Sequence, residues 1–535
     1  MMHGLKTWMP VLLAVGWIVV SSGALLAAED TSSAGSKVNI RTSGGMRIVA
    51  VRRPASSPAI NTQALAAPSS VVTAAEPMTA GTLSTPFPRP PLAGFSPLVA
   101  ITTSDKREFD DLMWDHTVHH TYTGNALNAP ANANFIIGIF DSGSVVDLVA
   151  EPWDWIVGLT GTRLTGNPFP IGGTGGTVDA IISKPVGYFA NGLSAVDAAS
   201  GLLDLTKVVG HGNTCLLVAP EIACGNGEGL TAVLGTGFVS FFNTIIRVDT
   251  PIRRGFGGDD VLSPSVQIQD QSIALPLYPR KMSMTFSSGG LPVTTASYYG
   301  LLDPWTWEVD IILPTLLGMG SGMIPLGGYF FGTIGAIEGE PGPTNPLQNM
   351  RVLVDTGAQS SIITPGMAAN LNLDLYNPDF TVDICGIGGL TTDVPGFWVD
   401  YVKMNAAGGA LEFSQAPFVV VDMASPDGGQ FDGVLGMNFF WNRNVIFQPV
   451  PSGSSFLHIS DPIPFAYGDL DRDLDVDQDD FEIFSACSSG PGIPFSAECT
   501  LVDADDDGDI DQTDFGFFQA CLSGENVPAD VNCKP

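Results

Sequence analysis

An aspartate set directly behind an apolar strand-like run, then a hydroxyl residue and a glycine, occurs twice in this chain with matching downstream neighbours. In "FIIGIFDSGSVVDLV" Asp141 precedes Ser142 and Gly143; in "VLVDTGAQSS" Asp355 precedes Thr356 and Gly357. One such tripeptide is an ordinary strand-to-turn signal, because Asp and Gly are favoured wherever a chain reverses. The pair constrains more. A glycine-rich stretch follows each aspartate by 31 residues (172 − 141 and 386 − 355), with Gly172, Gly173 and Gly175 in "IGGTGG" and Gly386, Gly388 and Gly389 in "CGIGG". Each half then carries Val-Leu-Gly, at 233–235 and 434–436. The order aspartate turn, glycine hairpin, apolar-apolar-Gly is duplicated, which implies two similar β lobes.

Composition agrees with that reading. The 62 Gly, the 40 Pro and many short Val/Ile/Phe/Thr runs favour strands and turns over long helices. A chain of 535 residues with 44% hydrophobic content can bury more than one core. Its formal net charge of −33 argues against a nucleic-acid phosphate partner. The opening stretch has one early Lys, an apolar run and small residues before Glu29, the layout of a secretory signal peptide over 1–28. An Ala/Ser/Pro-rich linker or arm is expected over 29–94, a first lobe over 95–285, a second over 286–450, a linker over 451–466 and an acidic module over 467–535. No later segment is long and apolar enough to cross a bilayer uninterrupted, so the expected location is secreted or extracytoplasmic, with the cell surface included.

The paired segments resemble the aspartic peptidases of the pepsin and retropepsin superfamily over roughly 95–450. The set "VLVDTGAQSSII…GIGG…GVLGMNF" is the more retropepsin-like, and the first half is more diverged. The resemblance implies a mainly β, bilobal fold in which Asp141 and Asp355 form the catalytic dyad on a polypeptide substrate. Two tandem lobes complete the site within one chain, so a monomer suffices. Two carboxylates close together cannot both ionise easily; one holds a proton while the other activates a water, with no metal in the chemistry. The resemblance further implies that the Ser142 and Thr356 hydroxyls bond across to the opposite loop and that Ser144 supports the first aspartate. Gly143 and Gly357 would let backbone N–H groups approach the carboxylates without a Cβ in the way. The glycine hairpins would be flaps that close over substrate.

A second repeat, of period 34, ends the chain: "GDLDRDLDVDQDDFEIFSACSSG" and "VDADDDGDIDQTDFGFFQACLSG". Asp469, Asp471, Asp473, Asp475, Asp477 and Asp480 stand at the spacing of a twelve-residue calcium loop, as do Asp503, Asp505, Asp507, Asp509, Asp511 and Asp514, with a backbone carbonyl expected from 475 and 509. The usual loop glycine is Gly508 in the second copy and is replaced by Leu474 in the first. Sixteen acidic residues between 469 and 514 face one basic one, Arg472, a concentration that calcium would make tolerable. Each loop runs into a short apolar helix. The module resembles a type I dockerin, which implies structural calcium and a cohesin-like partner. Cys487 with Cys499 and Cys521 with Cys533 recur at the same offset and are expected as disulfides, with Cys215–Cys224 as a third pair and Cys385 left over.

Weaker candidates are a metal cluster from Asp115, His116, His119 and His120, more simply a solvated loop, and Cys385 as a nucleophile, more simply a packed thiol. Two readings of the whole follow. The first is an exported aspartic endopeptidase with a calcium-binding attachment module. The other is a non-catalytic extracellular peptide-binding or scaffold protein with degenerate protease lobes.

Overall fold

The structure, a computed structural model, describes residues 87–104, 132–159, 169–287, 323–339, 348–450 and 453–534. Short interruptions fall at 152, 174–175, 184–185, 215, 221, 224–228, 257–258, 387–388, 424, 427 and 497–498. Outside these, the backbone of strands Val19–Val20, Lys37–Thr42, Met46–Val51, His120–Thr121, Tyr298–Leu302 and Val309–Ile311 is described. Most of the expected signal peptide and arm, the glycines at 175 and 388, Cys215, Cys224, Asp115, His116 and His119 therefore lie outside the described residues.

The chain is mainly β, and two large sheets carry it. In one, the strand leading to Asp141, Ile136–Phe140, lies between Leu98–Ser104, antiparallel, and Ala232–Leu234, parallel. The order then runs through Leu148–Ala150, Leu217–Ala219, Gly176–Ile182 and Phe169–Gly173. In the other, the strand leading to Asp355, Gln348–Val354, lies between Tyr329–Glu338, antiparallel, and Gly433–Leu435, parallel. That order continues through Ile362–Ile363, Leu411–Val420, Gly389–Met404 and Phe380–Gly386. The seven places correspond one for one, with the same parallel or antiparallel sense at each step. Both aspartate-bearing strands are buried along their last residues, as the near-continuous apolar runs "IIGIF" and "VLV" require of strands covered on both faces.

The second sheet also recruits the first half of the sequence. The long hairpin Phe242–Phe256 and Asp259–Asp270 joins it through Val445–Gln448. Next in that order come Ser455–Ile459 and Arg280–Ser287. The interval 451–466 is thus not all linker: its Pro/Ser/Gly flank conceals a strand whose residues 455, 457 and 459 turn inward. The end of the expected arm is also structured. Leu92 is buried beside Leu353 and Val434, and its carbonyl accepts from the Ser360 hydroxyl (2.6 Å). Gly94 N–H donates to the Gln359 carbonyl (2.9 Å), and added bulk at 94 would collide with Met437.

One continuous core joins the halves. Phe140 packs edge-on against Phe447 with ring centres 5.6 Å apart, and Phe330 packs edge-on on the same ring at 5.1 Å. Residues 466–534 have their own core, in which Val476, Phe484, Ile510 and Phe518 meet beneath helices Gln478–Cys487 and Gln512–Cys521. Asp477 and Asp511 cap these helices, each in a reciprocal box with the acid three residues on. Disulfides Cys487–Cys499 and Cys521–Cys533 close the segment after each helix. Among the described residues no helix is long and apolar enough to cross a membrane.

Candidate active site and metal loops

Each aspartate leaves its strand at a parallel crossing. Asp141 N–H donates to the Leu234 carbonyl (3.0 Å) and Asp355 N–H to the Leu435 carbonyl (3.1 Å), so the two Val-Leu-Gly segments hold the turns from beneath. The turns then fold back on their own carboxylates. Asp141 Oδ1 accepts from Gly143 N–H (2.8 Å) and Ser144 N–H (3.0 Å). Asp355 Oδ1 accepts from Gly357 N–H (2.9 Å) and Ala358 N–H (3.2 Å). Ser144 thus supports Asp141 through its backbone; its hydroxyl donates instead to the Val146 carbonyl (2.9 Å). This is why Ala358 does the same work without a hydroxyl.

The two turns are joined by a reciprocal set of bonds. Ser142 N–H donates to Thr356 Oγ1 and Thr356 N–H to Ser142 Oγ, both at 3.0 Å. The hydroxyls in turn donate to the carbonyls ahead of the opposite aspartates, Ser142 to Val354 (2.8 Å) and Thr356 to Phe140 (3.0 Å). Gly143 lies so close to the Asp355 carboxylate that any Cβ at 143 would collide with it. Both aspartates are buried, and their side chains hydrogen-bond each other. Burial pushes the Asp141 carboxyl well above the usual range, and the Asp355 charge and their mutual hydrogen bond push it further. The Gly143 and Ser144 N–H groups pull the other way.

The glycine hairpins close at matching registers, Gly173 opposite Gly176 and Gly386 opposite Gly389, with Gly172 opposite Thr177. Gly389 has φ +124°, a conformation that suits glycine at such a tip.

Asp147 belongs to the support of this site and was not among the residues expected there. It lies six residues after Asp141, as Ser361 lies six after Asp355, and the two do the same work. Asp147 Oδ1 accepts from Gly235 N–H and Ser361 Oγ from Gly436 N–H, both at 2.9 Å. Superposing the two halves at their aspartates would have found it.

In the tail, Asp469, Asp471 and Asp480 bring carboxylate oxygens within 4.8 Å of one another, as do Asp503, Asp505 and Asp514. Asp475 and Asp477 form a second such group with Asp480, and Asp509 and Asp511 with Asp514. Asp473 and Asp507 fall in none of these groups; each accepts from the N–H two residues on. Asp475 and Asp509 also tie their loops to distant backbone, accepting from Asn526 N–H and Gly492 N–H. The donor set fits a hard cation. Asp469 Oδ1 and Asp503 Oδ1 are buried oxygens with no hydrogen-bond partner, each within its loop's cluster. Burial pushes the Asp469 carboxyl up to about 6 and the Asp480 carboxyl up to about 7, so charge is costly there without a counter-ion.

No curated protein matches this chain. Residues 336–439, the interval that carries Asp355, Thr356, Gly357, the hairpin of Gly386 and Gly389, and the crossing segment Gly433–Leu435, match the sequence model of a family described as aspartyl protease.

Proposed function

We propose that this protein is an exported, two-lobed aspartic endopeptidase whose halves supply one carboxylate each, carried with a calcium-binding, dockerin-like attachment module. The observation that carries the reading is the mirrored cradle of Asp141 and Asp355, in which each turn hydrogen-bonds its own carboxylate and grips its opposite. The geometry supports a shared proton: two buried carboxyls that hydrogen-bond each other hold one proton more readily than none. A water between them would lose a proton to the ionised carboxylate as its oxygen attacks the scissile carbonyl. The protonated carboxyl would donate to the carbonyl oxygen. On collapse, the proton taken from water passes to the leaving amine. Extended substrate suits a cleft whose hairpins offer backbone edges, and closure of those hairpins would exclude water.

In the tail, Asp469, Asp471 and Asp480 would hold one calcium and Asp503, Asp505 and Asp514 another. Bound calcium would supply the positive charge that these carboxylates lack. Two disulfides fit an oxidising compartment, in line with export. Incubating the purified protein with a diverse peptide mixture and reading the cut sites tests the reading. Cleavage that a statine-type transition-state mimic blocks is the expected result. No cleavage over a broad pH range would return the protein to the peptide-binding alternative.

A further inference from the structure

The two acidic loops repeat in sequence but differ in what touches them. Arg253 projects from the strand Phe242–Phe256 of the catalytic body into the first loop, 220 residues away from its partner there. Its Nη1 lies 2.6 Å from Asp473 Oδ2 and 3.7 Å from Asp471 Oδ2, and its Nη2 pairs with Asp479. The Asp471 and Asp473 side chains are 1% and 8% exposed against 28% for Arg253 and 49% for Asp479, so the contact is partly shielded, with its inner half out of solvent. Asp471 is one of the three carboxylates clustered with the orphaned Asp469 oxygen. Asp473, the next acid along the loop, is turned to the guanidinium. The first loop also has Leu474 at φ +82°, where the second has Gly508 at φ +92°, so its tight turn is strained.

A guanidinium and a calcium ion make the same demand on these oxygens. Arg253 shares Asp471 with the clustered ring and holds Asp473 outside it, so a cation that closed the ring would compete with the guanidinium for both. We propose that Arg253 is a built-in, calcium-competitive ligand of the first loop. Without calcium it docks the tail on the catalytic body; calcium entering that loop displaces it and frees the tail, whereas the second loop fills first and independently. This inference rests on the calcium reading of the tail.

The test is calcium titration of the full-length, chelator-stripped protein by calorimetry, with small-angle scattering in chelator and in saturating calcium. Wild type should show a tight and a weak site, and should be compact in chelator and extended in calcium. Arg253→Gln should tighten the weak site by roughly tenfold, the weight of losing one partly shielded charge competitor, and leave the tight site alone. It should also be extended under both conditions, with Arg253→Lys intermediate. Equal weak-site affinity in wild type and Arg253→Gln, or wild-type dimensions that ignore calcium, would overturn the inference while leaving the calcium reading standing. No binding by either protein would overturn both.

Discussion

Ser142 and Thr356 hold each other across the two halves by an exchange of bonds, each hydroxyl accepting the other's backbone N–H at 3.0 Å. Each hydroxyl then donates to the carbonyl that precedes the opposite aspartate. The separation of Asp141 and Asp355 is therefore set by four bonds that neither half can make alone.

Thr356→Val removes the acceptor of the Ser142 N–H in a buried place and should cost about 1–3 kcal/mol of stability. Ser142→Ala should do likewise, and the double variant should lose less than the sum, because either loss already loosens the junction that the other pair of bonds holds. Chemical denaturation of the four proteins measures this cycle. Strict additivity would mean that the two turns are held independently.

Asp141→Asn and Asp355→Asn should each lower peptide cleavage by roughly 10³-fold or more, because each removes half of a proton-sharing pair. Turnover is read beside circular dichroism, which should be unchanged. Near-normal turnover by either variant would rule out the dyad.

Asp147 yields a pH prediction. Burial holds its carboxyl well above the usual carboxylate range, with the Gly235 N–H acting against that rise, and its Oδ2 has no hydrogen-bond partner. The folded chain thus keeps a proton that the unfolded chain releases. The associated stability is whole below the unfolded value and is lost as pH rises through the raised one. Asp147→Asn keeps an acceptor for Gly235 N–H and cannot ionise, so its melting temperature should exceed that of wild type at neutral pH and converge with it in acid. Asp147→Ala should instead cost about 1–3 kcal/mol in acid, since it orphans the Gly235 N–H, and progressively less as pH rises and wild type loses its own stability. Parallel pH profiles for wild type and Asp147→Asn would refute the assignment.

Calcium should govern the tail and not the chemistry. Binding to the folded tail alone stabilises it by mass action, so chelation should raise hydrogen exchange in the helices Gln478–Cys487 and Gln512–Cys521. Cleavage of a small peptide should persist, because the dyad uses water and two carboxylates. Activity lost with the metal, or tail protection indifferent to it, would break this division.

The parts of the site that sequence made legible are those where one residue type alone can do the work. A carboxylate short enough for its own turn to cradle is Asp, a contact against Asp355 tolerates only glycine at 143, and repetition at equal offsets separates such a set from chance turns. The tail disulfides were legible for the same reason. Asp147 escaped because an acid after a turn looks like surface until its burial is known. The strand Ser455–Ile459 escaped because Pro, Ser and Gly beside it dominate local propensity, while its pairing with Arg280–Ser287 is decided by distant residues. Arg253 was beyond reach altogether, since nothing near residue 253 announces a partner at 473.

A peptidase, as proposed for this chain, is always in the presence of its own polypeptide. Here the stretch 87–94 lies on the second half before entering the first sheet, and the hairpin 242–270 of the first half is built into the second sheet. Presenting the body as an extended substrate would require these crossings to come apart together, so self-digestion is coupled to whole-body opening and not to the fraying of one strand. Where cleavage of the opened chain outpaces reclosing, stored enzyme should then disappear at a rate set by its own unfolding, with a half-life that does not shorten as the solution is concentrated.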